Sequence, residues 1–155
     1  MSESPGTAVP GRRFEDVTVG EELPTVEYPL TVYRLVMAAG SNRDFNSIHH
    51  NSEYARSLGA KEMYANTSFL MSSWERCVRD WLGPAGTIRS IRGFRMKSFN
   101  VVGDTMRVLA EVRDARIEDG VGVVEVAIRS ENSAGVTVGP GVVEVTLPLR
   151  EGALA

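Results

Sequence analysis

The sequence predicts an α+β fold in which an antiparallel sheet wraps one long helix. Three observations predict it. Apolar residues recur at helical spacing as far as Leu82, then alternate with polar ones from about Met106 onward. Thr67 to Leu82 is the one segment that is both long and amphipathic. Helices gathered before strands give α+β rather than an alternating α/β order.

The chain has 155 residues, which suits one domain. Met1 to Arg13 holds Ser, Gly and Pro without an apolar core, so it reads as a flexible tail and not as a secretory signal. Residues 14–150 are expected to form the single domain. The net charge of −3 argues against generic nucleic-acid binding, which needs a basic surface to displace counterions. The single cysteine, Cys77, leaves no intrachain disulfide, as in a reducing compartment. No apolar run approaches the ~18 residues that span a bilayer. A cytoplasmic location is the expectation.

Phe14 to Leu30 is interrupted by Gly20, Pro24 and Pro29, leaving room for one short strand near Val26–Tyr28. Thr31 can cap a helix from Val32 to about Ala39, with Val32, Leu35, Val36 and Ala39 as its apolar face. Gly40, Ser41 and Asn42 end it, so the following Asp44 to His49 stretch falls on a loop. Asn51 or Ser52 caps a helical turn through Leu58, which Gly59 closes.

Asn66 caps the long helix. Leu70, Trp74, Cys77, Val78 and Trp81 form its buried face, and Gly83-Pro84 stops it. Both tryptophans read as core, and Cys77 as a packed thiol. Thr87 to Ser98 reads as a strand whose alternation slips near Arg92-Gly93. Three clearer strands follow, around Met106–Arg113, Val124–Arg129 and Val143–Leu147. Asp119-Gly120 is a hairpin turn, while Ala134-Gly135 and Gly139-Pro140-Gly141 read as punctuation.

Asp44 and His49 carry the chemistry. A carboxylate and an imidazole can hold one water between them, activate it for addition to a double bond, and return a proton to the neighbouring carbon. Asn46 can hold the loop or orient one partner. On pairing alone, a surface aspartate and two surface histidines are the commoner case. The only histidines are His49 and His50, which makes a multi-histidine metal site a poor reading. Glu62 and the methionines Met63, Met71 and Met96 have surface and gap-filling roles as their commoner readings. Arg89, Arg92, Arg95 and Lys97 are candidates for phosphate contacts, with a solvated strand face as the alternative.

Asp44-Phe45-Asn46-Ser47-Ile48-His49, with Ala55 six places on, resembles the hydratase motif of the MaoC-like dehydratases, the R-specific enoyl-CoA hydratases. The resemblance extends over most of the chain from Phe14. It implies a hot-dog fold, with Asp44 and His49 as the catalytic pair. It also implies a thioester oxygen bound by a backbone N–H at the start of the long helix, which falls on Thr67. Ser47 stands where the motif has Pro, and Asn66-Thr67 where the family has His-Gly. The stretches Arg43-Asp44-Phe45, Ile48-His49-His50, Gly59-Ala60-Lys61-Glu62 and Arg79 to Pro84 resemble a narrower group. These are small subunits of steroid side-chain hydratases, each paired with a larger MaoC-like subunit.

The expectation from this resemblance is reversible hydration of a 2-enoyl-CoA, with a steroid-type acyl group in prospect. The substrate would bring coenzyme A with it, and no separate cofactor or metal would be needed. A homodimer, or a heteromer with a second MaoC-like subunit, would be the working form. Two rivals stand beside it. One is a hot-dog thioesterase, sending water to the thioester carbonyl. The other is a non-catalytic subunit that completes another chain's pocket.

Overall fold

A computed structural model describes residues 11–152. Five strands, β1 (Val26–Pro29), β2 (Thr87–Arg92), β3 (Thr105–Glu118), β4 (Val121–Asn132) and β5 (Gly135–Leu147), form one sheet. Their order is β1-β3-β4-β5-β2, and all neighbours run antiparallel. Three helices, α1 (Val32–Ser41), α2 (Ser52–Ser57) and α3 (Thr67–Leu82), all precede β2. The expected α+β order is therefore present.

The α3 helix is the axis of the core. Leu70, Trp74, Cys77, Val78, Trp81 and Leu82 are buried, the face that the 3.6-residue period picks out. They pack in one cluster with Val108, Val112, Val124, Val126, Val143 and Val145 from the central strands. Leu70 is 1% exposed, a burial contributing about 1.5–3 kcal/mol. The indole N–H groups find acceptors: Trp74 donates to Ser130 Oγ and Trp81 to Glu21 Oε1, both at 2.8 Å. Burial pushes the Cys77 thiol up to about 11, which suits an inert packed group.

The β3–β4 hairpin turns at Asp119-Gly120, both with positive φ (49° and 77°), as a tight two-residue turn requires. Its strands run further than the alternation alone indicated. In β5 the difference is larger: the turn ends at Ala134 and Gly135 opens the strand, as expected, but Gly139, Pro140 and Gly141 lie within it, where they shift the register against Ile128–Ser130 and do not end the strand. The indole of Trp74 explains two of these residues. A Cβ on Gly141 would come within 2.7 Å of the ring, and one on Gly139 within 3.0 Å. The glycines let α3 approach the sheet closely, so composition that looked like a turn marks a helix–strand contact.

The β2 strand ends at Arg92, and Gly93 follows at φ 71°. Beyond it the chain rejoins β5 through the Lys97 N–H on the Thr137 carbonyl at 2.8 Å. The α1 helix corrects a second expectation. Leu35 and Ala39 are buried, but Val32 and Val36 are 56% and 39% exposed. With Tyr33 and Met37 they leave an apolar strip on the surface.

Residues 1–10 of the expected tail lie outside the described residues. Arg12, within that tail, donates to Glu21 Oε1 through both Nη1 and Nη2 at 2.8 Å and lies 4.5 Å above the Trp81 ring. Among the described residues no helix is long and apolar enough to cross a membrane.

Candidate active site

Asp44 is positioned by the end of α1. The N–H of Asp44 donates to the Ala39 carbonyl at 2.9 Å, and that of Arg43 to the Gly40 carbonyl at 3.1 Å. Arg43 has φ 56°. This is a Schellman cap, with Arg43 at the left-handed position that usually holds glycine. Asp44 is thus the second residue past the helix cap, tied to α1 and not free on a loop. A non-glycine residue costs about 1–2 kcal/mol in this conformation, so local strain sits directly beside the candidate carboxylate.

His49 ends a single 3₁₀ turn, Ser47–His49. Asn46 caps that turn, its Oδ1 accepting from the Ile48 N–H at 3.2 Å. The Asn46 side chain therefore holds the loop, while its backbone N–H approaches Asp44 Oδ1 at 3.4 Å. His50 turns away, with Nε2 3.3 Å from the Phe45 carbonyl.

The two candidate groups meet. His49 Nε2 lies 3.2 Å from Asp44 Oδ2. His49 Nδ1 lies 2.7 Å from the Tyr64 carbonyl oxygen, which can only accept, so Nδ1 carries a hydrogen. The Nε2 edge of the ring faces the carboxylate, so the two groups are placed to pass a proton along this axis. The imidazole side chain is 8% exposed and the carboxylate 36%, so the pair opens to solvent on the Asp44 side. The Tyr64 ring packs edge-on to His49, with centroids 5.4 Å apart, and fixes the plane of the imidazole.

Asn66 brings α3 into the site. Its Oδ1 accepts from the Phe69 N–H at 2.9 Å, capping the helix, and its Nδ2 donates to Asp44 Oδ2 at 3.2 Å. Oδ2 therefore faces the Asn66 amide and the imidazole nitrogen, while Oδ1, whose only contact among the described residues is the long one to the Asn46 N–H, is the oxygen left to accept from a water. The Thr67 and Ser68 amides are first-turn donors without an intrahelical carbonyl, at the positive end of the helix. Both residues are exposed. Among the described residues the Thr67 hydroxyl reaches only the Met96 sulfur, at 3.9 Å.

Sequence reasoning placed Asp44, His49, Asn46 and Thr67 in one neighbourhood and anticipated Asn66 as a cap. It missed the bond from Asn66 to Asp44 and the Tyr64 carbonyl that sets the imidazole tautomer. Asn66 carried a signal, since a carboxamide capping a helix through its oxygen still has two N–H donors to place. The Tyr64 carbonyl carried none, because every residue has one. Ala55 is fully buried on the inner face of α2, and Glu62 pairs with Arg56. Met63 is core, whereas Met96 is half exposed beside Thr67.

No protein-family model matches the chain. Among curated proteins it is 31% identical over 112 residues to the 3-oxo-4,17-pregnadiene-20-carboxyl-CoA hydratase beta subunit of Mycobacterium tuberculosis. That alignment covers 72% of this chain and 84% of the relative. Among solved structures, it matches a chain of the ChsH1-ChsH2 complex from Mycobacterium tuberculosis with TM-score 0.75 and 29% identity, covering 84% of this chain and 98% of that one. The R-hydratase PhaJ1 of Pseudomonas aeruginosa matches with TM-score 0.78 over 90% of this chain and 88% of that one. The (R)-hydratase of A. caviae matches with TM-score 0.74 over 86% and 99%. These last two are 21% and 18% identical and speak to the fold.

Proposed function

The chain belongs to the MaoC-like hydratase family, with the hot-dog fold, and we propose that it adds water reversibly across the double bond of a 2-enoyl-CoA thioester. The observation that carries this reading is the Asp44–His49 contact, with the imidazole locked by the Tyr64 carbonyl.

The chemistry follows from the proton inventory. Water donates one hydrogen to Asp44 Oδ1 and presents a lone pair to C3 of the enoyl group. As the oxygen–carbon bond forms, the double-bond electrons move toward the thioester carbonyl. That developing oxyanion is met by the Thr67 N–H at the positive end of α3. Water gives a proton to the carboxylate, and the Asp44–His49 pair gives one to C2. One proton enters the pair and one leaves, so it ends as it began. The product is a 3-hydroxyacyl thioester, and dehydration is the same path reversed. Asn66, donating to Oδ2, keeps Asp44 turned so that Oδ1 is free.

The acyl group is proposed to be bulky and of the steroid side-chain type. The support is the curated relative, named for a pregnadiene carboxyl-CoA. The working form is proposed to be a heteromer with a second MaoC-like subunit. A 29% identical neighbour was solved within a two-component complex, and the α1 surface carries an apolar strip here.

The test follows loss of the enoyl absorbance with crotonyl, long-chain and steroid enoyl-CoA thioesters, with and without a candidate partner subunit. Hydration of at least one supports the reading. Release of free thiol without hydration would assign the scaffold to thioester hydrolysis.

A further inference from the structure

Four cations lie between α3 and β3 in sequence, and the structure divides them into two pairs. Arg89 lies 3.7 Å from Glu144 and 3.8 Å from Glu118. Arg92 lies 3.0 Å from Glu125 and 3.8 Å from Glu144. Arg116 joins the same acids across β3, β4 and β5. These arginines neutralise a sheet face on which Glu125 and Glu144 are direct cross-strand partners. Like charges placed opposite one another need such compensation.

Arg95 and Lys97 differ. Among the described residues neither has a carboxylate within ion-pair distance. Their side chains are exposed, yet their backbone is fixed. The Gly139 N–H donates to the Arg95 carbonyl at 2.9 Å, and the Lys97 N–H donates to the Thr137 carbonyl at 2.8 Å. Both line an open groove of about 410 Å³ whose other walls are Gly93, Phe94, Gly139 and Pro140, none of them charged. Between them sits Met96, bridged to Val138, with its sulfur 3.9 Å from the Thr67 hydroxyl. The two free cations therefore straddle the residue that meets the N-terminus of α3.

We propose that Arg95 and Lys97 form the subsite for the phosphate groups of the coenzyme A carrier. The proposal rests on the enoyl-CoA reading above, which places the thioester at Thr67. The rest of the carrier then has to leave that point along the surface. A chain of net charge −3 needs a local cation cluster to hold a polyanion. The Met96–Thr67 contact puts this pair next to the start of the path, and guanidinium and ammonium groups are the side chains that bind phosphate. The cavity at Lys61 is a poorer match, because the Asp104 carboxylate shares its wall.

The experiment uses the full chain, with its partner if activity requires one, and compares Arg95→Glu, Lys97→Glu and the double variant. Each is assayed with an enoyl-CoA and with the same acyl group on N-acetylcysteamine, a thioester that lacks the phosphates. Both side chains are exposed, so the fold should survive. The expected result is a KM for the CoA substrate raised roughly two- to fivefold by each variant, as for exposed charge pairs, and more in the double. Its kcat, and both constants for the truncated thioester, should stay near wild type. Unchanged KM for the CoA substrate, or an equal rise for both thioesters, would overturn the subsite. If wild type hydrates neither thioester, the hydratase reading fails. Calorimetric titration with coenzyme A then decides the subsite: weaker binding by the variants supports it, and equal or no binding by wild type and variants rejects it.

Discussion

Asn66 joins the N-terminus of α3 to the carboxylate of Asp44, capping the helix through Oδ1 and donating to Asp44 Oδ2 through Nδ2 at 3.2 Å. One side chain thus sets both the helix start and the orientation of the proposed base. Asn66→Ser keeps an oxygen that can cap and removes the donor. Stability should change by less than about 1 kcal/mol, because Ser and Asn are comparable caps. Turnover should fall about tenfold or more, since a hydrogen bond to a charged group contributes ~1.5–3 kcal/mol. Asn66→Asp also keeps a cap but sets a second carboxylate against Asp44, and should be worse. Thermal melts beside steady-state rates check both, and a wild-type rate in Asn66→Asp would break the link.

Much of this arrangement was legible in the sequence, and the reasons differ by residue. The α3 helix and its buried face were readable because seven of its residues bury at helical spacing, where polar neighbours make the period plain. The pairing of Asp44 with His49 was readable through a resemblance, since composition and spacing alone favour a surface aspartate, and the role proposed for Thr67 rests on that same resemblance. The extent of β5 was not readable. Gly139 and Gly141 answer to the Trp74 ring, a contact made across the fold. The apolar residues of α1 were counted as core because periodicity reports which residues share a face, not whether that face is covered. The second role of Asn66 was hidden by the sequence separation of 22 between it and Asp44.

Arg43 occupies the left-handed position of the α1 cap, at φ 56°. Arg43→Gly should relieve the strain and raise stability by up to about 1 kcal/mol, less than the full steric cost because glycine gains entropy in the unfolded chain. Activity should persist. Arg43→Val places a β-branched residue in the same conformation and should destabilise by more than about 1 kcal/mol, dragging Asp44 out of register. Denaturant melts and hydration rates on the pair check this. Equal stabilities would show that the cap does not hold Asp44.

Glu21 supplies a pH dependence. Burial works to raise its pKa, but hydrogen bonds from Arg12 and Trp81 outweigh it and hold the carboxyl below the ordinary 4.5. A depressed folded-state pKa gives stability that is present above the unfolded value and lost as pH falls through the folded one. Wild type should therefore exceed Glu21→Gln in stability at neutral pH by about 1 kcal/mol. The difference should shrink as pH falls below 4.5. Melts from pH 7 to pH 3 measure it, and a gap that widened toward acid would contradict the assignment.

Thr67 separates backbone from side chain. If its N–H meets the thioester oxygen, Thr67→Gly should keep activity, whereas Thr67→Pro should lose roughly 10²–10³ in rate, as for one oxyanion donor. Proline is acceptable in a first helical turn, so the fold should survive it. A proline variant that turned over normally beside a crippled glycine variant would move the oxyanion contact elsewhere, with the Ser68 amide next.

The central claim is that Asp44 and His49 act as one proton-transferring pair. The most direct measurement is the hydration rate of an enoyl-CoA that wild type accepts, taken for Asp44→Asn and His49→Ala, with circular dichroism confirming that each variant is folded. Both are expected to lose about 10²–10⁴ in rate, the usual contribution of a general acid–base group. Near-wild-type turnover in either folded variant would contradict the claim.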